Sequence, residues 1–322
     1  MTPRTRIATA VGGGLSALVL TACAGSAPAA PQGSRAVGYP VTVSSCGVDY
    51  TYDRAPGRVL LGAPGIIKTL DALGVADSAI GYTLSDYQID GIDSYPNLTV
   101  TTADWTPSRE FLISAQPDLF LSNDEQQLLG EGAATKDDLA GIPANLYVLG
   151  NYCVEAPARS DIGVIYDDIE NIGTIYNIPK AAADLNAELQ ARVSAAAALN
   201  PGDEDFTAGA ITLYDGKVYA LGGTYYAAIL DALGLTNGFA DLGTNFSEIT
   251  PEAVLASDLD VILVTYAEGD GSTEIQNAKT LFANAPAVAS GRVIGLDDTA
   301  FQSVGVAIID VIETTAQELF GR

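Results

Sequence analysis

Histidine is absent from this 322-residue chain. Without imidazole there is no Ser-His-Asp triad, no Cys-His dyad and no His-ligated zinc, manganese or haem site. Basic residues are scarce: 15 Lys+Arg stand against 40 Asp+Glu, a formal charge of −25. That balance excludes nucleic acid, since little in the chain could displace counterions from phosphates. No apolar run of eighteen residues follows the N-terminal segment, so no later stretch reads as membrane-spanning. There is no Gly-x-Ser-x-Gly elbow and no phosphate loop. Gly222-Gly223-Thr224 opens a helix without the Lys such a loop needs, and pairs such as Asp297-Asp298 are too ordinary in so acidic a chain to mark a glycosidase. The expectation is therefore not an enzyme, with an extracytoplasmic α/β enzyme as the distant rival. What the chain does have is 48% hydrophobic residues, enough for real cores and for about two domains.

Residues 1–22 read as a secretion signal: Arg4 and Arg6 precede an apolar, Gly-interrupted stretch from Ile7 to Leu20. It closes on Leu20-Thr21-Ala22-Cys23, which resembles the bacterial lipoprotein box, with Cys23 the lipidated first residue of the mature protein. The alternative is an ordinary signal that happens to contain a Cys. Cleavage before Cys23 leaves 300 residues and a formal charge of −27. Residues 23–40, rich in Ala, Gly, Ser and Pro, read as a flexible tether. The lipid would hold the protein on the outer face of the cell membrane without a spanning segment. Cys46 and Cys153 then remain as an even pair, either bridged in an oxidising compartment or two free buried thiols.

An internal repeat organises the rest. Leu70-Asp71-Ala72-Leu73-Gly74 recurs as Leu230-Asp231-Ala232-Leu233-Gly234, each ending a short helix at a Gly C-cap. Glu110 to Asp118 and Glu252 to Asp260 are both eight apart, each leading from a short helix into an apolar parallel strand. Two such matches in register predict two similar α/β lobes with mainly parallel sheets, at 41–158 and 201–322. Between them, residues 159–200 predict a helix to about Tyr176, a break at Asn177-Ile178-Pro179, and a long helix over Ala181–Leu199 that joins the lobes as a strut. An ordinary surface helix is the alternative.

These pieces together resemble the substrate-binding lipoproteins of ABC importers, in the class that serves ferric siderophores, cobalamin and haem. The likeness rests on Cys46-Gly47-Val48, Ala55-Pro56-Gly57-Arg58-Val59-Leu60, Leu70 to Val75, Gln116-Pro117-Asp118-Leu119, Asn171-Ile172-Gly173, Gly291-Arg292-Val293-Ile294 with Asp297, and a closing helix from about Val304 to Phe320. The Cys46–Cys153 pair is similar to a feature of the family's actinobacterial branch. The resemblance implies two lobes on one long connecting helix, a ligand in the cleft between them, small closing motions, and docking on a membrane permease. The family carries an exposed Glu on the first helix of each lobe. The matching positions here are Lys68 and Ala228, and Asp71 and Asp231 are the acids offered instead.

Ligands of parallel α/β sheets sit beyond the carboxyl ends of the strands. That rule nominates Tyr82, Tyr87, Trp105, Asn123, Tyr152, Tyr225, Tyr226, Tyr266 and Phe301. Aromatic rings give large contact area at low entropic cost and suit a bulky, semi-polar ligand. Asp86, Asp104, Asp124, Glu268, Asp297 and Asp298 fall in the same segments, while the nearest cations are Arg109 and Arg159. A trianionic ferric catecholate calls for several arginines, so the expectation is a neutral or cationic ligand such as a ferric hydroxamate. Cobalamin and haem are the alternatives, with Tyr as the haem ligand. No resident cofactor or bare metal ion is expected, and the protein reads as a monomer.

Overall fold

Two aspartates explain the eight-residue spacing in the repeat. Asp118 accepts hydrogen bonds from the backbone N–H groups of Gly57 and Arg58 (3.0 and 2.9 Å). Asp260 accepts one from Thr207 (2.9 Å). Each carboxylate therefore satisfies N–H groups at the start of the neighbouring strand and fixes its register. Arg58 adds a second tie, reaching the carbonyls of Ala115 and Gln116 at the end of the preceding helix.

The structure is a computed structural model and describes residues 37–86, 89–155, 159–202, 205–242, 246–267 and 269–321. The secretion signal, Cys23, the tether up to residue 36, Tyr87 and Glu268 lie outside the described residues.

A hairpin of β1 (Val41–Ser45) and β2 (Val48–Tyr52) opens the fold. The first sheet holds β3 (Val59–Leu61), β4 (Ala79–Tyr82), β5 (Val100–Thr101), β6 (Leu119–Ser122) and β7 (Asn145–Val148) in the order β5-β4-β3-β6-β7, all parallel. Its helices are α1 (Ile67–Ala72), α2 (Arg109–Ala115) and α3 (Lys136–Gly141). Ser108 caps α2 through the Phe111 N–H, and Thr135 with Asp138 forms a capping box on α3.

Next come α4 (Gly163–Ile175) and α5 (Pro179–Ala197). Asn177 is left-handed (φ 55°) and Pro179 starts α5, as the sequence break predicts. The 19 residues of α5 span about 28 Å. Gly173 lets the two helices touch, because a Cβ there would lie 2.4 Å from Ala182 Cβ. Residues 37–40, read from sequence as the end of a tether, are fastened to this break. Tyr39 donates to the Ile175 carbonyl (2.8 Å) and Asn177 to that of Val37 (3.2 Å).

The second sheet holds β8 (Thr207–Tyr214), β9 (Lys217–Ala220), β10 (Thr236–Asn237), β11 (Ser247–Ile249), β12 (Val261–Tyr266) and β13 (Val293–Asp297). Its order is β11-β9-β8-β12-β13, with β10 also beside β8. Around it lie α6 (Thr224–Ala232), α7 (Pro251–Ala256), α8 (Ser272–Leu281), α9 (Pro286–Ala289), α10 (Asp298–Ser303) and α11 (Val306–Phe320). The centre β10-β8-β12-β13 is parallel, like the first sheet. The lobes differ at β9 and β11, which are antiparallel. The cause is local: Asp215 and Gly216 both have positive φ (49° and 72°), the geometry of a tight hairpin turn that returns the chain beside β8.

The lobes are twinned in their sheets, and beside a hydrophobic cluster of its own each shares in a larger one common to both. Leu61, Ile67, Ile165, Leu189, Leu263 and Ile309 belong to a single buried cluster that runs through both. Arg192 on α5 pairs with Asp310 and Glu313 on α11. Thr69 of α1 accepts from the Val306 N–H at the start of α11. A Cβ on Gly65 would lie 1.6 Å from Ser303 Oγ. These contacts pack the two lobes tightly against each other.

Cys46 and Cys153 are bonded, with Cα atoms 5.3 Å apart across 107 residues of chain. The bridge ties the β1–β2 hairpin to the segment after β7. Among the described residues no helix is long and apolar enough to cross a membrane.

Candidate ligand-binding cleft

The first wall is organised by Gln127, a buried residue that lines nothing. Its Nε2 donates to the carbonyls of Gly62 (2.8 Å) and Trp105 (3.0 Å) and to Thr83 Oγ1 (3.2 Å). Its Oε1 accepts from Ser122 Oγ (2.6 Å). One side chain thus ties the segments leaving β3, β4, β5 and β6. Gly62 is required there, since a Cβ would meet Gln127 Oε1 at 2.3 Å. Its neighbour Glu125, also buried, holds the segment after β7. Its carboxylate pairs with Lys136 and accepts from the Val154 N–H (2.6 Å), and its own N–H donates to the Tyr152 carbonyl (3.0 Å).

Between the lobes lies a cleft of about 730 Å³, within the range of small-molecule sites. Leu84, Trp105, Asn123, Asp124, Gln126 and Tyr152 line it from the first lobe. Thr212, Tyr214, Leu221, Thr224, Tyr226, Phe246, Thr265, Asp298 and Phe301 line it from the second. Tyr226 stacks on Phe301 (centroids 4.1 Å apart, 12° between planes), and its hydroxyl donates to Asp298 (3.1 Å). Phe246 stacks on Tyr219 (4.3 Å). Trp105, Tyr214 and Phe246 keep 38%, 69% and 56% of their surface open to solvent. Burial lifts the Tyr152 hydroxyl to about 12, against a hydrogen bond with Thr224 that lowers it. Burial also raises the Asp124 carboxyl, although the Gln126 N–H favours its charged form.

Of the nine residues nominated from sequence, Trp105, Asn123, Tyr152, Tyr226 and Phe301 come together in this cleft. Tyr225 lies buried 5.8 Å from the Tyr152 ring. Tyr82 is half-buried against the shared core. Tyr266 faces a separate cavity of about 190 Å³ with Asp270, Asp297 and Glu318. Tyr87 is outside the described residues. The strand-end rule missed Gln126, Thr212, Tyr214, Leu221 and Phe246. The Asp215-Gly216 turn signal could have found Thr212 and Tyr214, because it makes β8 and β9 a hairpin whose arms extend into the cleft.

The arginines nearest in sequence do not reach it. Arg109 pairs with Asp138 (2.6 Å), and Arg159 with Asp161 (2.7 Å) and Asp167. Among the described residues, one group could resemble a metal site, Cys46, Glu125 and Cys153. Its two sulfurs are bonded to each other and its carboxylate is engaged, so it is a structural staple. Asp71 and Asp231 are exposed at equivalent places on α1 and α6. Ala228 is buried.

Two α/β lobes facing each other across an aromatic cleft define a solute-binding architecture. A family model described as periplasmic binding protein matches residues 59–300, and the chain belongs to that family. Membership implies a place outside the cytoplasm. A periplasmic binding protein from Veillonella parvula is similar in structure, with a TM-score of 0.75 and 19% identity, covering 88% of this chain and 98% of that one. A protein of the ABC-type Fe3+-hydroxamate transport system from Saccharomonospora viridis gives 0.69 and 25%, over 88% and 100%. The petrobactin-binding protein YclQ from Bacillus subtilis gives 0.69 and 18%, over 88% and 99%. A search of curated protein sequences finds no significant match.

Proposed function

We propose that this protein captures a ferric chelate of hydroxamate type in the cleft and passes it to an ABC import permease, held on the outer face of the cell membrane by a lipid on Cys23. The observation that carries this reading is the cleft itself: bulky, walled by aromatic rings, and with no Lys or Arg among the described residues that line it. A trianionic catecholate would be repelled by Asp124 and Asp298, which line the cleft. A chelate that buries its iron inside an apolar shell fits rings and hydroxyls. The 25% identity to a component of a hydroxamate transport system supports the same choice. The chain acts as a monomeric binder without a resident cofactor, and Asp71 and Asp231 are the acids available to meet the permease.

Trp105, the only Trp, sits at the cleft and provides the test. Titration with a ferric trihydroxamate should quench its fluorescence saturably at one chelate per protein, while a ferric tricatecholate should not. Tight binding of the catecholate alone overturns the reading.

A further inference from the structure

One buried carboxylate stands behind the cleft without touching it. Asp168 on α4 keeps only 4% of its surface open. Its Oδ2 accepts from the Gly150 N–H (2.7 Å) and its Oδ1 from the Tyr147 hydroxyl (2.8 Å). Tyr147 in turn accepts from Asn171 Nδ2 (2.9 Å), further along α4. The carboxyl is therefore used as an acceptor only, the role an ionised Asp fills. The titratable and charged groups that face it are Tyr147 from β7, Tyr225 from α6 and the neighbouring Arg159–Asp167 pair. Tyr225 comes from the second lobe, and its buried hydroxyl has no hydrogen-bond partner.

Gly150 joins this carboxylate to the cleft. Its φ is 68°, in the region that favours glycine. A Cβ there would lie 2.3 Å from the Tyr225 hydroxyl and 2.8 Å from the Tyr152 ring. Tyr152 lines the cleft, with its ring 5.8 Å from that of Tyr225. Only Asn151 separates the residue that Asp168 holds from the ring that meets the ligand. We propose that Asp168 is a positioning residue of the cleft: through the Gly150 N–H it sets Tyr152 in its binding place, more firmly as a carboxylate than as a neutral acid. A hydrogen bond to an ionised acceptor is roughly twice as strong as its neutral counterpart. Charging the buried group costs folding free energy, yet it strengthens this bond. Ligand affinity therefore rises as Asp168 loses its proton, a change that burial moves up to about pH 7. The proposal rests on the ligand-binding reading above and adds a residue that contacts no ligand.

The probe is a ferric trihydroxamate, titrated against Trp105 fluorescence from about pH 6 to about pH 8.5, a span that brackets the change. Affinity should rise about threefold across it. Asp168→Asn keeps an acceptor for Gly150 but cannot ionise. It should bind at the weaker, acid-side level throughout, and thermal melts establish that it is folded. Asp124 and Asp298 remain in that variant, so a pH dependence that came from them would persist. A flat wild-type profile overturns the positioning role and leaves the chelate reading standing, as does a rise that survives in Asp168→Asn. If the probe binds at no pH, the chelate reading falls, and a ligand-free measurement decides the positioning role. The amide resonances of Gly150 and Tyr152 should then titrate together in the wild type and stay fixed in the variant. A Tyr152 amide that does not move over this span overturns the proposal.

Discussion

The side-chain amide of Gln127 donates to the backbone carbonyl of Trp105 at 3.0 Å. A buried residue that touches no ligand space thereby sets the position of the largest ring on the first wall. Gln127→Leu keeps the volume roughly but takes the Gln127 hydrogen bond from the Trp105 carbonyl, while the Gly62 carbonyl keeps Thr83 Oγ1 and the Ser122 hydroxyl keeps the Asp124 carbonyl. Losing a buried hydrogen bond of this kind costs roughly 1–3 kcal/mol. The variant should unfold at lower denaturant concentration and shift the Trp105 emission maximum. An unchanged emission maximum contradicts the positioning role.

Much of this arrangement was legible in the sequence, and several of the failures come from side-chain direction. The twin helices ending at Gly74 and Gly234 were readable because only an αL cap explains Gly there, and both have positive φ (72° and 67°). The strand-end rule nominated most of the segments that line the cleft, though not the end of β8 or Phe246, and within a segment it did not give the side. Thr265 faces the cleft and Tyr266 the smaller cavity, because neighbours on a strand point to opposite faces. Tyr226 lines the cleft while Tyr225 is buried beside it. Segment position is written in sequence patterns, whereas side-chain direction depends on register and helix phase. The shared core was also hidden, since nothing in the repeat says that α1 and α11 touch.

The Cys46–Cys153 bridge closes a loop of more than a hundred residues. In the chain-entropy account such a bridge is worth about 4.7 kcal/mol. Cys46→Ser/Cys153→Ser should lower the denaturant midpoint by a corresponding amount. It should also weaken ligand binding, because the bridge adjoins Tyr152. A double variant as stable as the wild type contradicts this.

Asp168 on α4 is buried and accepts from the Gly150 N–H (2.7 Å) and the Tyr147 hydroxyl (2.8 Å). Burial outweighs these bonds and lifts its carboxyl to about 7, against an ordinary value of about 4. Between those values the folded protein holds a proton that the unfolded chain has released. The site's contribution to stability is therefore full below about pH 4, declines as pH rises to about 7, and is flat beyond. Asp168→Asn cannot titrate, so the stability of the wild type relative to the variant should fall from pH 4 to 7. A difference that is constant over that range contradicts the assignment.

Gly65 meets Ser303 where the lobes join. Ser303 is buried and its hydroxyl is committed to the Thr299 carbonyl, so it cannot yield cheaply to a methyl group. Gly65→Ala should cost about 1–3 kcal/mol through overpacking, read as a lower midpoint. Gly141→Ala serves as the control, since no atom lies within 4 Å of its added Cβ and its φ is not positive. Equal losses for the two contradict a tight junction.

The most direct measurement is a crystal structure of the protein with a ferric trihydroxamate bound. The chelate should lie between Trp105 and Tyr152 on one side and the Tyr226–Phe301 stack on the other. Density in the smaller cavity beside Tyr266, or a chelate that leaves those rings uncovered, would contradict the account.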